Sequence, residues 1–326
     1  MIYNKPKYKL LDWIPKHKII WLELSENPNA IDLLEQNIDK INWKRLSQNE
    51  NAIDLLEKNK DKINWKFLCL NPNATHLIEK NLDKLYIHNW KRLSQNENAI
   101  KILESNVKKI NWKQLSLNKN AIHLLDQNND KIDWTCLSEN ESAAELLEKN
   151  LDKVNWDLLS RNSGAISILK KNKDKINWSY LCENPNSDII QLLKENPSEI
   201  DWDWLSENDH CVELLEQNQD EINWNELSSN KNAFHLLKDN LDKIDYWDFL
   251  ACNNNPKVMD LLKDNQDKIY WKFFWRNPNI FELDKKAMKK QMQPLAEQII
   301  SKALHPSRLN KILEKYNYNI ITEEYQ

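Results

Sequence analysis

Glycine is almost absent from this chain, because Gly164 is the single glycine among 326 residues. Phosphate-binding loops, dinucleotide-binding fingerprints and the nucleophile elbow of hydrolases all require glycine where the backbone turns sharply or approaches a ligand. These enzyme classes are therefore excluded. No combination of nucleophile, base and orienting group stands out in the sequence, so we expect a protein that is not an enzyme and has no cofactor.

Long apolar runs and a strong charge of either sign are also missing. No segment reaches the length of a membrane span, and no leader with an apolar core is present. The net charge of -4 does not provide the positive face that nucleic acids or anionic membranes require. We therefore expect an intracellular protein that is not secreted and has no membrane and no nucleic acid as partner.

Cysteine is scarce, and its five copies occur singly: Cys69, Cys136, Cys182, Cys211 and Cys252. An odd number without paired spacing is typical of small buried thiols and not of zinc sites or disulfides. We therefore predict no metal site.

Tryptophan, in contrast, recurs every 22 to 25 residues. The twelve repeat-opening tryptophans are Trp21, Trp43, Trp65, Trp90, Trp112, Trp134, Trp156, Trp178, Trp202, Trp224, Trp247 and Trp271. A fixed period in this range indicates a repeat array, in which each unit buries its apolar face against its neighbours. We number the repeats 1 to 12 and count positions from each Trp as zero.

The pattern within a repeat predicts two helices. Trp and Leu at positions 0 and 3 indicate a short helix, and apolar residues at positions 9, 10, 12 and 13 indicate a second helix of two to three turns. Asn or Asp commonly precedes the Trp and is expected to cap the short helix. These cap residues are Asn42, Asn64, Asn111, Asp133, Asn155, Asn177, Asp201 and Asn223.

Asparagine occupies position 6 in every repeat, and in some repeats proline follows it. This order predicts an N-cap followed by the first residue of the second helix. The predicted structural caps are Asn27, Asn49, Asn71, Asn96, Asn118, Asn140, Asn162, Asn184, Asn208, Asn230, Asn253 and Asn277.

Most repeats carry another asparagine at position 16, after the second helix. We predict a left-handed C-cap there, the conformation that glycine usually supplies. The residues are Asn37, Asn59, Asn81, Asn106, Asn128, Asn150, Asn172, Asn218 and Asn240.

The predicted fold is all-α: a right-handed α-solenoid of about twelve two-helix repeats, each of α plus short α or 3₁₀ type. Residues 1–20 are expected to form an N-terminal cap, in which Trp13 and Ile14 cover the open end of repeat 1. Residues 21–280 form the array, and residues 281–326 form a helical cap or docking module. Stacking twelve units about 8 to 10 Å apart predicts a long curved rod with a contour of about 100 Å.

The C-terminal region is predicted to contain three helical pieces, broken at Pro294 and Pro306, followed by a tail from Tyr316 to Gln326. Its lysines make it the best local candidate for an anionic partner, but acidic residues among them favour an ordinary solvated face.

Three segments together resemble a known family: residues 9–15 (KLLDWIP), 24–35 (LSENPNAIDLLE) and 303–309 (ALHPSRL). They are similar to uncharacterised tandem-repeat proteins of giant amoebal viruses of the mimivirus type, and the likeness covers nearly the whole chain. The repeat unit also resembles bacterial leucine-rich variant repeats, which implies that the Trp segment could be 3₁₀. The resemblance implies an array that engages host proteins, located in the host cytoplasm, and it carries no catalytic residues.

Position 2 varies between repeats and is the candidate partner-binding site. Equivalent positions of a repeat array align in a stripe, and exposed aromatic residues are favoured interface anchors. Repeats 6 to 9 give an apolar run that starts at Cys136. The predicted binding residues are Phe67, Leu158, Tyr180, Trp204, Phe249 and Phe273. The alternative is that these side chains only fill gaps between neighbouring helices.

The leading functional prediction is a non-enzymatic protein-interaction scaffold with a partner of unknown identity. The alternatives are an RNA-binding helical repeat protein and a structural, virion-associated protein. Helical repeats can read one base per unit, but repeats 6 to 9 interrupt the basic residues that such a track requires.

Overall fold

The computed structural model describes residues 5–315, which are mostly helical. It divides into two compact units. One unit, Leu11–Ile280, contains all twelve repeats. The other consists of the segments on either side. Residues 11–20, assigned to a cap from the sequence, therefore belong to the same compact unit as the repeats.

Each repeat opens with a short α-helix, which we call the Trp helix. The Trp helices are Trp21–Leu24, Trp43–Leu46, Trp65–Leu68, Ile87–Leu93, Trp112–Leu115, Trp134–Leu137, Trp156–Ser160, Trp178–Cys182, Trp202–Glu207, Trp224–Leu227, Trp247–Cys252 and Trp271–Phe274. They are α-helical, so the 3₁₀ conformation suggested by the likeness to leucine-rich variant repeats is wrong for this segment. All eight predicted Asn and Asp caps accept a hydrogen bond from a main-chain N–H of the helix that follows.

Repeats 1 to 11 each have a second helix, which is shorter than the two to three turns predicted, with five to seven residues. The second helices are Ile31–Glu35, Ile53–Lys58, Thr75–Glu79, Ile100–Glu104, Ile122–Asp126, Ala144–Glu148, Ile166–Lys171, Ile189–Glu195, Val212–Gln217, Phe234–Asp239 and Val258–Asp264. They start at position 10, or at position 11 in repeats 8 and 11, because the turn that begins at position 6 uses the intervening residues.

A third element, a 3₁₀ turn, links most repeats to the next and was not predicted. These turns are Ile38–Lys40, Lys60–Lys62, Leu82–Lys84, Val107–Lys109, Asn129–Lys131, Lys173–Lys175, Pro197–Glu199, Gln219–Glu221, Leu241–Lys243 and Gln266–Lys268. Further 3₁₀ turns are Glu97–Ala99, Lys119–Ala121, Ser163–Ala165 and Pro278–Ile280. Lys16–Lys18 is an equivalent turn ahead of repeat 1.

The core is a row of apolar side chains that repeats along the array. In repeat 5 it contains Leu115 from the Trp helix and Leu124 and Leu125 from the second helix, with Ile132 from the connection to repeat 6. Each buried side chain of this size stabilises the fold by about 1.5 to 3 kcal/mol. Because every repeat contributes the same positions, no repeat has a complete core by itself.

The position 6 asparagines are buried and bind in two directions. In repeat 2, the side-chain oxygen of Asn49 accepts from the N–H of Asn51 at 3.0 Å. Its amide nitrogen donates to the carbonyl oxygens of Ser25 and Asn27 in the preceding repeat, at 3.2 and 2.9 Å. The predicted N-cap is therefore a turn cap four residues ahead of the α-helix, and it also joins neighbouring repeats. We call this row of twelve residues the Asn ladder.

The left-handed conformation predicted for the position 16 asparagines is wrong. Asn59 has φ -131° and ψ 52°, and Asn128 has φ -133° and ψ 48°. The amide nitrogen of Asn59 instead donates to the carbonyl oxygen of Leu55, 2.8 Å away, and so caps the second helix from its side chain. Because these φ values are negative, these turns do not need glycine.

The array of repeats closes on itself. The amide nitrogen of Asn27 in repeat 1 donates to the carbonyl oxygens of Trp275 and Asn277 in repeat 12, at 3.0 and 2.9 Å. This is the same ladder pattern that joins consecutive repeats. The repeat-containing unit is therefore a ring, and the predicted rod with two open ends is wrong. The expected right-handed winding stays a prediction.

Residues 11–20 complete repeat 12, which has no second helix of its own. The N–H of Leu11 donates to the carbonyl oxygen of Ile280 at 3.0 Å, and Ile14 is buried. The ring of Trp13 contacts that of Phe274, with centroids 5.9 Å apart. These contacts seal the seam between the first and last repeats, so Trp13 and Ile14 do not cover an open end.

The Trp helices line the inner wall of this ring. Between repeats 3 and 4, and from repeat 7 to repeat 12, the Trp helices of neighbouring repeats pack closely against each other, whereas the second helices of neighbouring repeats lie farther apart. In a closed ring the inner row has the shorter circumference, so the more closely packed row is the inner one.

In the second unit, the strand Tyr8–Leu10 pairs antiparallel with the strand Phe281–Leu283. The helices Lys285–Ala303 and Pro306–Lys315 follow. The break predicted at Pro294 is wrong, because the first helix continues through it. Proline removes one helical hydrogen bond, and water can replace it on this exposed helix. Tyr316 to Gln326, predicted as a tail, lie outside the described residues.

Candidate binding surface on the inner wall

The candidate binding surface is the stripe, which we define as the position 2 residues of the twelve Trp helices. Trp204 is 46% exposed and Phe249 is 39% exposed. The other apolar members are half-buried: Phe67, Cys136, Leu158, Tyr180 and Phe273. The stripe is thus neither fully interlocked nor fully open, and its largest exposed member is Trp204.

The cap ahead of each Trp helix fixes the backbone of the stripe residue. The carboxylate of Asp201 caps the helix at the N–H of Trp204, and Asn155 accepts from the N–H of Leu158 at 3.0 Å. The next residue, at position 3, is a fully buried leucine. Because the helix is held at both of these points, the side chain at position 2 is directed away from the core.

Basic side chains of this chain already cover part of the stripe. Lys44 and Arg92 each lie 4.8 Å from the ring centroid of Phe67, and Arg161 lies 5.8 Å from that of Tyr180. Cations within about 6 Å of an aromatic face are attracted to it. No cation lies over Trp204 among the residues that the structure describes.

The charge at position 1 of the Trp helices changes along the inner wall, and repeat 12 has a lysine there, Lys272. Position 1 is lysine in repeats 2 to 5, as Lys44, Lys66, Lys91 and Lys113. It is acidic in repeats 7, 9 and 11, as Asp157, Asp203 and Asp248. The negative charges of these aspartates lie near Trp204 and Phe249, the exposed aromatic members of the stripe.

A cavity of about 500 Å³ runs along five successive repeats beside the stripe, from Glu97 to Pro185. Arg161 pairs there with Glu139, and it lies 3.6 Å from a carboxylate oxygen of Glu183. The cavity is open and its walls are charged, so it suits a polar segment and not a small apolar ligand.

Acidic residues crowd the inner wall in repeats 8 to 10. Burial raises the pKa of the Glu226 carboxyl, and the negative charges of Glu207 and Asp203 raise it further. Burial also raises the pKa of Glu183, against the opposing effect of Arg161. The folded protein therefore holds these carboxylates close together at a free-energy cost, which a bound cation would reduce.

Nine repeats cover the ring of their own Trp with a lysine from the same chain. In eight of these repeats the lysine lies three residues before the following Trp, and in the ninth Lys243 lies four residues before Trp247. In all nine the ammonium is 4.3 to 5.0 Å from the ring centroid. The pairs are Lys40 with Trp21, Lys62 with Trp43, Lys109 with Trp90, Lys131 with Trp112, Lys153 with Trp134, Lys175 with Trp156, Lys243 with Trp224, Lys268 with Trp247 and Lys18 with Trp271. This regular pairing was not predicted from the sequence.

The cysteines occupy structural positions. Burial raises the pKa of Cys69 and of Cys211 to about 12, and that of Cys182 to about 11. The sulfur of Cys182 accepts from the N–H of Asp201 at 3.4 Å, where other repeats use serine. Thiols with such raised pKa values are poor nucleophiles at neutral pH.

Three histidines on the second helices pair with glutamates of the preceding repeat. His76 lies 3.0 Å from Glu57, and the equivalent pair His123 and Glu104 is 2.7 Å apart. His235 and Glu216 repeat this arrangement. Within residues 5–315 we find no group of three possible ligands that could hold a metal ion.

In the flanking unit, Lys285, Lys286, Lys289 and Lys290 are exposed on the helix Lys285–Ala303. Gln293 and Glu297 are hydrogen-bonded on the same helix at 2.9 Å. The described helices contain no stretch that is both long and apolar enough to cross a bilayer.

No family model matches this chain, and searches of curated proteins and of solved structures found no similar protein. The sequence located the repeat register and both asparagine positions, and the stripe stays a prediction. It did not locate the Asn ladder between repeats or the ring closure, which depend on contacts between residues distant in the sequence. A lysine three residues before most of the repeat-opening tryptophans was a signal that could have revealed the lysine–tryptophan pairing.

Proposed function

We propose that this protein is a non-enzymatic scaffold that binds a protein partner at the stripe on the inner wall of its ring. The observation that supports the proposal best is the exposed indole of Trp204 beside the half-buried Tyr180. Aromatic side chains on rigid elements are favoured anchors in protein interfaces. Because both residues lie on capped helices, a partner would meet a surface that needs little rearrangement.

We further propose that the protein is viral and engages host proteins in the host cytoplasm, on the resemblance to the tandem-repeat proteins of giant amoebal viruses. RNA binding remains the second candidate, and the four lysines at position 1 of repeats 2 to 5 favour it. The aspartates of repeats 7, 9 and 11 would repel phosphates on the same wall, which counts against it. A structural, virion-associated role is compatible with the same scaffold.

The test is a pull-down from amoebal lysate with the tagged protein, with and without nuclease. We expect a nuclease-resistant protein partner that the Tyr180→Ala/Trp204→Ala variant loses. Tyr246→Ala is the matched control, because Tyr246 is 63% exposed and lies outside the stripe. Circular dichroism checks that each variant is folded.

Two results would contradict the proposal. Capture of the same proteins by wild type and by the double variant would show that the stripe is not the binding surface. Recovery of RNA, with loss of all partners after nuclease treatment, would favour nucleic-acid binding instead.

A further inference from the structure

The lysine that covers the Trp ring in nine repeats is replaced by glutamate after repeats 8 and 9. Glu199 lies three residues before Trp202, and Glu221 lies three residues before Trp224. In the part of the chain that the structure describes, no cation lies over the ring of Trp178 or Trp202. Repeat 3 also lacks the pairing, but it keeps a lysine, Lys84, beside the irregular stretch that leads to Trp90.

These two tryptophans and both glutamates line one cavity of about 670 Å³. It is open to solvent, and its walls include six side chains suited to a cation: Trp178, Glu199, Asp201, Trp202, Asp203 and Glu221. Both tryptophans are half-buried, so each indole is anchored in the array and keeps part of its surface accessible. Aromatic faces and carboxylates therefore meet at one place on the ring.

We propose that this cavity, which we call the ammonium site, binds lysine side chains of a basic segment of the partner protein. Each ammonium would lie over Trp178 or Trp202, as the lysines of this chain lie over the other tryptophans, and would pair with Glu199 or Glu221. The inference deepens the proposed function and rests on it, because it names the chemistry of the partner.

The nine occupied repeats are an internal control for this assignment. They show that the Trp ring at this position accepts a lysine ammonium at 4.3 to 5.0 Å without any change of fold. A lysine that arrives from outside meets the same ring and, in addition, a carboxylate where the internal lysine would be. Attraction between a cation and an aromatic face strengthens when both are removed from water.

The surrounding charges favour a basic partner over an anion. Asp157 and Asp203 lie at position 1 of repeats 7 and 9, and each accepts a hydrogen bond of 2.8 Å from an asparagine, Asn177 and Asn223 respectively. The lysines of repeats 2 to 5 lie on another part of the wall, so a basic segment would be steered toward repeats 7 to 11.

Fluorescence anisotropy with a labelled oligolysine peptide and the purified full chain tests the ammonium site directly. We expect saturable binding of this peptide and none of the same peptide with every lysine acetylated. The Glu199→Lys/Glu221→Lys variant restores the internal lysines, so its affinity should fall at least about tenfold. This variant should stay folded, because nine repeats of the chain already carry lysine at that position.

A matched control keeps the same change of net charge elsewhere. Glu50→Lys/Glu79→Lys alters two exposed glutamates outside the cavity. It should bind the peptide within about twofold of the wild type, because screened charges at a distance contribute little. An equal loss of affinity in this control would overturn the ammonium site in favour of a general charge effect.

The opposite change should create a new site. Lys175→Glu removes the lysine that covers Trp156 and adds a carboxylate next to it, beside the existing cavity. We expect the oligolysine peptide to bind at least about threefold more tightly, because one more lysine of the peptide can then lie over an aromatic ring, that of Trp156. Unchanged or weaker binding by this variant would contradict the proposed recognition.

The two proposals can fail separately. In one case, the Tyr180→Ala/Trp204→Ala variant loses the lysate partner, the Glu199→Lys/Glu221→Lys variant keeps it, and oligolysine does not bind. Then only the ammonium site is wrong. If oligolysine binds as expected while the stripe variant loses no partner, then the stripe fails and the ammonium site stands.

Discussion

At the scale of single residues, asparagine carries most of the specific hydrogen bonding of this protein. One ladder asparagine closes a turn in its own repeat and donates to carbonyl groups of the preceding repeat. A buried main-chain carbonyl group without a hydrogen-bond donor destabilises a fold. The ladder asparagine supplies that donor, and a shorter side chain would leave these carbonyl groups unpaired. The position 8 asparagines add a second, exposed row of such bonds.

Asn118 gives a direct test of the ladder. It is 1% exposed, and it donates to Ser94 and Asn96 at 3.1 Å each. We expect Asn118→Ala to lower the free energy of unfolding by about 2 kcal/mol, because these carbonyls lose their donor. Asn118→Asp should be worse, since it directs a carboxylate at two carbonyl oxygens. Urea unfolding of both variants measures the loss.

The control is Asn120→Ala, at the exposed position of the same turn. Asn120 donates to Glu97 at 3.1 Å, but water can take over that bond. We expect a loss of about 0.5 kcal/mol or less. Equal losses at the two positions would mean that the buried ladder has no special role.

Glu226 tests the crowding of carboxylates on the inner wall. Its pKa is raised from 4.5 by burial and by Glu207 and Asp203. The carboxyl group of Glu226 therefore binds its proton more tightly in the folded protein than in the unfolded chain. The stability that this protonation contributes is present at low pH and is lost as the pH rises through the folded pKa. We expect Glu226→Gln to raise the Tm at pH 7 and to have little effect below about pH 4.

Thermal unfolding followed by circular dichroism at several pH values measures this difference. Glu50→Gln, at an exposed position, is the control and should leave the Tm unchanged at every pH. A Glu226→Gln variant that is less stable than the wild type at pH 7 would contradict the expected sign.

At the scale of the elements, no helix of the array could persist alone. The Trp helices have four to seven residues and the second helices five to seven, whereas isolated helices below about 12 residues are marginal in water. Caps and burial against neighbouring repeats hold them instead. The sequence predicted the caps of the Trp helices correctly, because an Asn or Asp before an apolar residue acts locally. It overestimated the second helix, because apolar spacing continues into the turn before it.

The 3₁₀ turn was missed because its sequence signal is polar and brief. Residues such as Asp61 and Lys62 are typical of a solvated connection, yet Lys62 covers the ring of Trp43. The turn therefore positions one lysine per repeat over an aromatic face. Where the same turn ends in glutamate, as at Glu199, the turn is retained, and no cation of the described residues covers the ring of Trp178.

At the scale of the whole repeat-containing unit, closure gives every repeat two neighbours. Glu23 of repeat 1 is 3% exposed, and it forms an ion pair with Arg276 of repeat 12. Lys18 lies 4.5 Å from the ring centroid of Trp271, which repeats across the seam the pairing found inside the array. The seam therefore contains the same contacts that join consecutive repeats, together with an ion pair and additional aromatic residues.

The ion pair at the seam gives a test of closure. Arg276→Glu places a carboxylate against the buried Glu23 and the nearby Glu26, and should lower the free energy of unfolding by about 2 kcal/mol or more. Amide hydrogen exchange should speed up in residues 21–30 and 271–280 and stay unchanged in repeats 5 and 6. The neutral pair Glu23→Gln/Arg276→Gln should recover most of the protection.

A uniform increase of exchange along the whole array would contradict this expectation, since it would mean that the seam is no weaker than the other interfaces. Exchange unchanged at both ends would mean that the ion pair does not hold the seam.

The repeat, its register, the caps of the Trp helices and the buried leucines could all be predicted from the amino-acid sequence, because each depends on residues within one unit. That the array is a ring could not be predicted in this way. Closure depends on the small angle between neighbouring repeats, summed over twelve of them, and that angle arises from how side chains of adjacent repeats pack. The residue pattern within one repeat does not specify this angle. The contact of Asn27 with Trp275 is therefore known only from the folded structure.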